Sequence, residues 1–444
     1  MKVRRQRRGW QNTNGPVETT LRLLFAGFLL AGPLTMSLNV PNQEYSMKCR
    51  ICKQQCTYLA RLGQQPLANK YPIDKKAIES QGFWELDALI CSVCHAGQLS
   101  NVLSRDELFQ DYYYLSSVNP ELVDHFDDLA LKLKDSRFVL DVGSNDGVLL
   151  RPLKKLGVKC LGIDPSINVG NLANEEGLET LIGFFDAEAV RAIKEHHGRP
   201  DAIVASSIFT HLEDPKKFVE DLNELLADDG VIIIEIEYLL NMIEKYQFER
   251  FYFDRTFYYS ISSLRHLFTK SGFEIYDIEE IEPHGGSLRV FISKAEAGKK
   301  VTDKVNMLLE IEAEALQKER VMQFQADISG YAKELFEALE KYSAEGLRVC
   351  GFGSPARLAT ITNFANIGPE LIEYVVDDSP LKAGRYSPGM SIPIMGRKHM
   401  EDNPPDVVIV FAYEYFDSIF EFTSKFNVSH YQPIPFKPLF EVDK

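Results

Sequence analysis

The chain has 444 residues, 45 % of them hydrophobic and 25 % charged, and a formal net charge of −15. This length exceeds one ordinary core and predicts two or three domains, while the acidic balance speaks against a phosphate backbone as partner, so no nucleic acid is expected. Seven cysteines, four of them in two tight pairs, point to metal rather than disulfides and so to a reducing, cytoplasmic compartment.

In chain order, MKVRRQRR followed by LLFAGFLLA has the pattern of a basic n-region and a short h-region. Its apolar run of about nine residues is far below the roughly 20 that span a bilayer, so no membrane segment is expected. Cysteine pairs of the zinc type downstream argue against export, and residues 1–46 are read as an extension outside the fold, with Met36 or Met47 as starts. CRIC then places Cys49 and Cys52, and CSVC places Cys91 and Cys94, as two C-x2-C pairs. Four thiolates satisfy a tetrahedral Zn²⁺ and leave no position for water, which predicts a structural metal. Cys56, Cys160 and Cys350 have no partner at ligand spacing, and the last two lie in apolar strand-like runs, where a small buried hydrophobe is the default.

From Phe138 strands and helices alternate. FVLDVGSNDGVLL reads as a strand ending in Asp141, a turn with Gly143, Asn145 and Gly147, and the start of a helix. KCLGIDPS is a second strand ending in Asp164, and DAIVASS and GVIIIEIE are further short apolar runs separated by helical segments. This cadence predicts a doubly wound α/β sheet whose ligand lies at the carboxyl ends of the strands. A carboxylate about 20 residues after the glycine turn can bind both hydroxyls of a ribose, and Asp164 has that place. The segment FYFDRTFYYS, residues 251–260, follows, and its six aromatics around Asp254 and Arg255 predict the wall of a reaction chamber rather than core aromatics beside a stray surface ion pair. Residues from about Thr302 to Tyr342, rich in Glu, Lys, Leu and Ala without Pro, predict one long helix whose charge run is a solvated face.

The acidic-x-Gly-x-x-x-Gly turn with its second-strand Asp is similar to the S-adenosylmethionine site of class I methyltransferases. From Cys49 onward the chain resembles the three-part sugar C-methyltransferases that act on nucleotide-linked 4-keto-hexoses, through CRIC with CSVC, FQDYYYLSS, DVGSNDGVLL, LGIDPS, THLEDPKKFV, PHGGSLRV, VCGFGSPAR and YVVDDSPLKAGRYSPGMSIPI in the family's order. The resemblance implies an α/β fold: a zinc-binding domain over 47–110, a class I methyltransferase sheet over 111–295, and a C-terminal Rossmann-like domain over 296–444 with a long connecting helix. It implies S-adenosylmethionine at Asp141, Gly143, Asn145, Gly147 and Asp164, structural zinc at the four cysteines, and a nucleotide-sugar substrate on a monomer or homodimer. Tyr112 and Tyr114 resemble substrate-gating tyrosines, and Arg357 belongs to the motif that helps hold the sugar nucleotide, although Leu358 and Ala359 replace the usual Gly and Asn.

Methylation of a carbon beside a ketone requires a base, a donor for the enolate oxygen, and alignment. The family's Tyr-His-Glu-His segment is here Tyr252, Phe253, Asp254, Arg255, so both histidines are replaced. A guanidinium cannot serve as base. The candidates are His211, Asp254 and Tyr252; His211 ranks first, with Asp254 orienting Arg255, and Arg255 or Tyr252 steadying negative charge. The alternatives are methylation at an oxygen or nitrogen of a sugar or related metabolite, and a catalytically reduced binding protein.

Overall fold

The computed structural model describes residues 47–104, 115–282 and 286–441. Three sheets succeed one another along this length, and the connections among them decide where the functional site lies. The first sheet has the order β1 (Cys56–Gln65), β2 (Trp84–Cys91), β3 (Gly97–Leu99) and β9 (Phe257–Tyr258), all antiparallel. Its last strand comes from the FYFDRTFYYS segment, more than 150 residues further along the chain. A Cβ on Gly97 would stand 2.9 Å from the Tyr258 Cβ, so glycine is what lets β3 and β9 close.

The central sheet contains β4 (Val139–Val142), β5 (Cys160–Asp164), β6 (Thr180–Ile182), β7 (Ala202–Ser206), β8 (Val231–Glu237), β10 (Phe273–Ile281) and β11 (Ser287–Lys294), in the order β10-β11-β8-β7-β4-β5-β6. The β4, β5, β6, β7 and β8 pairings are parallel, and β10 and β11 form an antiparallel hairpin against β8. The doubly wound sheet expected from the sequence is thus present, and the order reverses beside β4, which opens a crevice over the strand ends there. Three of its helices start on side-chain caps: Asn119 accepts from one backbone N–H group, Asp186 and Asp214 each accept from two, and Pro120 and Pro215 sit in first turns, where a missing N–H costs nothing.

The third sheet, β14-β13-β12-β15-β16-β17, is built from β12 (Val349–Phe352), β13 (Tyr374–Val376), β14 (Ile394–Met395), β15 (Val407–Val410), β16 (Ser429–Gln432) and an antiparallel β17 (Lys437–Phe440). Cys160 begins β5 and Cys350 lies buried in β12. Two helices, Asp303–Ala315 and Lys318–Ala344, replace the single long helix expected. The break needs neither Pro nor Gly: Gln317 takes extended backbone, with ψ 156°, and Leu316, Val321 and Phe324 are all buried. Nor is the charge run wholly solvated. Glu312 is fully buried and accepts from Tyr238 Oη at 2.8 Å and from the N–H groups of Ile261 and Ser262 at 2.6 and 2.8 Å, capping the helix Ile261–Thr269. Among the described residues no helix is long and apolar enough to cross a membrane.

Candidate functional site

The first two cysteine pairs build alike. Lys53 and His95, each just after a pair, have left-handed backbone, and the N–H groups of Cys52, Val93 and Cys94 point at thiol sulfurs 3.4 Å away. The Sγ atoms of Cys49, Cys52, Cys91 and Cys94 all lie within 4.8 Å of one another, with Cys49 to Cys94 at 3.6 Å and Cys52 to Cys91 at 3.3 Å. Ligands about 2.3 Å from a tetrahedral zinc are about 3.8 Å apart, so the donor set fits the metal with little movement. Cys56, which has no partner at ligand spacing, is paired with Cys91 in the strand register and places a fifth thiol beside the four.

Over the strand ends of the central sheet lies a cleft of about 1970 Å³ walled by all three sheets' segments. Asp141, Gly143, Asn145 and Asp164 line it; Gly147 does not, and a Cβ there would meet Leu178 Cδ1 at 2.5 Å, so its role is packing. Gly143, at φ +80°, takes a conformation in which a side chain would be strained. Asp164 is held by the N–H groups of Asn145 at 2.9 Å and Ser166 at 2.8 Å, one on each carboxylate oxygen. Burial still raises it above its ordinary range. Asp141 is pushed up to about 8, by burial first and then by the charges of Asp164 and Glu235. Asp141, Asn145 and Asp164 thus stand together at the strand ends, with Asp164 held by two backbone N–H groups.

FYFDRTFYYS divides by position. Phe251, Phe253, Phe257, Tyr258 and Tyr259 are buried at 0–1 % exposure, whereas Tyr252, Asp254 and Arg255 line the cleft. Most of its aromatics are therefore core, a correction to the chamber-wall expectation, and its polar residues are the wall. Hydrogen bonds lace this turn to the loop after β7: Thr256 N donates to Thr210 O at 2.9 Å and Thr256 Oγ1 to Leu212 O at 2.6 Å. His211 Nδ1 bonds the Asp254 carbonyl oxygen, which accepts only, so the proton is on Nδ1 and a neutral ring carries its lone pair on Nε2.

Arg255 is oriented by Glu237 at the end of β8, not by Asp254 as expected; the Asp254 carboxylate instead accepts from Asn69 Nδ2 at 2.7 Å. Burial pushes the Asp254 carboxyl upward against the pull of Asn69 and Arg255. Tyr252 lies under the Arg255 guanidinium, 4.8 Å from its ring, and burial raises its hydroxyl to about 12. Burial works against the charge on Arg255, but Glu237 overrides it and the guanidinium remains protonated. Arg357 lines the cleft with both Nη atoms committed to Glu414. Tyr112 and Tyr114 lie outside the described residues, as does most of the turn in PHGGSLRV.

Sequence reasoning missed Glu235, Glu237 and Asn69. The two glutamates alternate with buried isoleucines at the end of GVIIIEIE, and acids inside a buried strand were a readable signal. Asn69 lies in a loop without pattern.

Three family models match in tandem: a zinc binding domain over residues 49–109, a methyltransferase domain over 114–278 and a C-methyltransferase C-terminal domain over 282–434. The C-methyltransferase NovU of Streptomyces niveus is 28 % identical over 388 residues, 85 % of this chain and 92 % of that protein. A ubiquinone biosynthesis O-methyltransferase of Caulobacter sp. strain K31 is 32 % identical over 100 residues, 22 % of this chain and 39 % of that one. The magnesium protoporphyrin IX methyltransferase structure from Synechocystis PCC 6803 has a TM-score of 0.30 and 14 % identity over 39 % of this chain and 77 % of that chain. Taken together, the three models in this order and the likeness to NovU over 85 % of the chain match a three-domain C-methyltransferase architecture: a zinc-binding domain, a methyltransferase core and a C-methyltransferase C-terminal domain.

Proposed function

We propose that the protein methylates a carbon beside a ketone on a nucleotide-activated deoxy-sugar, with His211 as the base. The single observation that carries the reading is the bond from His211 Nδ1 to the Asp254 carbonyl: it fixes the ring beside the Arg255 turn and makes Nε2 the proton acceptor. The division of labour follows the sheets, with structural zinc in the first domain (47–110), donor and chemistry in the second (111–295), and the nucleotide held by the third (296–444).

S-adenosylmethionine, when bound, supplies a methyl group on a positively charged sulfur. His211 Nε2 removes the proton α to the ketone, and the electron pair moves to the carbonyl oxygen as an enolate. Arg255, held charged by Glu237, faces that oxygen as a fixed cation, and the protonated Tyr252 hydroxyl is a second donor. A methyl donor held there would give its methyl carbon to the α-carbon as the carbon–sulfur pair returned to sulfur, and the abstracted proton would remain on His211. Asp254 is the less suitable base, because Asn69 already occupies one carboxylate oxygen.

The test is exchange of the substrate's α-proton with D₂O, followed by NMR on a 4-keto-deoxyhexose nucleotide. Wild-type protein should exchange it, His211→Ala should abolish exchange, and Asp254→Asn should keep part of it. Methyl transfer to oxygen or nitrogen with no exchange would replace this reading by the heteroatom alternative. Binding of donor without turnover of any sugar nucleotide would leave a binding protein.

A further inference from the structure

A structural zinc takes four thiolates, and the first sheet gathers a fifth thiol beside them. Cys56 opens β1 directly opposite Cys91 of β2. The two residues exchange no backbone hydrogen bonds: Cys56 N donates to Met47 O at 3.2 Å and Cys91 N to Ala96 O at 2.9 Å, while Ser92 N reaches Gln55 O one position outside the pair. Facing residues of this kind have Cα atoms about 4.5 Å apart and side chains on one face of the sheet. The Cys56 thiol accordingly meets those of Cys49 and Cys91. We propose that Cys56 is a reserve zinc ligand, completing a second four-thiolate set of Cys49, Cys56, Cys91 and Cys94 when Cys52 is lost or modified. This inference rests on the reading of the cysteine cluster as a zinc site.

Burial separates the two sets. Cys49, Cys91, Cys94 and Cys56 are 0, 0, 2 and 3 % exposed, whereas Cys52 is half-buried. The set matched by spacing therefore includes the one thiol of the five that solvent reaches, and the second set is dry throughout. Electrophiles and oxidants in water meet Cys52 first. Because Cys56 touches Cys49 and Cys91, the set it completes contains both, and the place it takes is that of Cys52 or Cys94. Cys52 is the exposed one, and it shares the short segment CKQQC with Cys56, so the exchange stays within one turn of chain. Cys91→Ser breaks both sets. The exchange also protects the Arg255 turn, since β3 of this sheet pairs with β9 just beyond it and a retained metal keeps that sheet closed.

The test uses the full chain under reducing conditions, loaded with zinc and, separately, with Co²⁺, whose sulfur-to-metal charge-transfer absorbance grows with the number of thiolates bound. Cys52→Ser should hold one zinc per chain by elemental analysis, bind it within about tenfold of wild type against a competing chelator, and keep the four-thiolate cobalt spectrum. Cys56→Ser should do the same through Cys52. The double variant Cys52→Ser/Cys56→Ser should bind zinc about a hundredfold or more weaker, the share of one ligand in four, with a three-thiolate cobalt spectrum. A second measurement needs no substitution: iodoacetamide should alkylate Cys52 of the wild-type zinc protein with the metal retained by native mass spectrometry. In Cys56→Ser the same alkylation should release it. Release of zinc from wild-type protein as Cys52 is alkylated overturns the reserve role, as does loss of zinc from a Cys52→Ser chain that still melts cooperatively. Zinc held by the double variant as tightly as by Cys52→Ser overturns it too, because three thiolates then suffice. A Cys56–Cys91 disulfide in place of the metal in Cys52→Ser would overturn it in favour of a redox pair. Wild-type protein that holds no zinc would overturn the zinc reading itself.

Discussion

At the scale of single residues, the cleft is a set of ionisable groups whose neighbours decide their charge. Asp141 is the sharpest case, because its carboxyl stays protonated to about pH 8 in the folded chain yet ionises near 3.8 once unfolded. A raised folded value means that the unfolded state gives up its proton first as pH rises. Stability from this group is therefore full below about pH 4 and is lost progressively toward pH 8. Asp141→Asn has no proton to lose, so its melting temperature without donor should fall less between pH 5 and pH 8 than that of wild type. Parallel melting curves for the two proteins would show that Asp141 does not titrate in this window. Asp141 was legible as a strand-end acid. Its altered titration was not, because burial and the approach of Glu235 depend on strands far apart in sequence.

At the scale of elements, β9 carries two jobs. Its backbone completes the zinc-bearing sheet by pairing with β3, and the turn before it presents Asp254 and Arg255. The loop after β1 reaches the same place, since Asn69 holds the Asp254 carboxylate. Cys91→Ser should therefore act beyond the metal. We expect one zinc per chain in wild-type protein and none in the variant by elemental analysis, a lower melting temperature, and reduced kcat, although a four-thiolate site has no open position for chemistry. Full activity in zinc-free protein would show that the first sheet does not position the turn. This coupling explains what could be read beforehand. The cysteine spacing and the alternation of strands and helices are local patterns, and they foretold the cysteine cluster and the central sheet. The partner of β9, the break at Gln317 and the buried Glu312 are tertiary, and local propensity carries no information about them.

At the scale of the whole molecule, the second and third sheets meet through a ladder of charges. Arg255 pairs with Glu237, Glu237 lies 3.4 Å from Arg250, Arg250 donates to Glu414 at 2.8 Å, and Arg357 closes the other side of Glu414 while stacking on Tyr413 at 4.5 Å. Arg250 and Arg357 have side chains only 7 % and 11 % exposed, so neither guanidinium can recover hydration if its partner is removed. Glu414→Ala strands both, and breaking a buried pair in this way costs about 3–5 kcal/mol, with Glu237 and Glu249 nearby to offset part of it. Arg357→Ala leaves Glu414 with Arg250 and should cost less. In urea, the first unfolding transition of Glu414→Ala should move to lower concentration than that of Arg357→Ala, and kcat should fall in the former because Arg255 stands at the far end of the same ladder. If the two variants unfold together and only Arg357→Ala loses affinity for sugar nucleotide, Glu414 is a neutralising partner for a ligand-binding arginine, and the sheets are held by their apolar contacts instead.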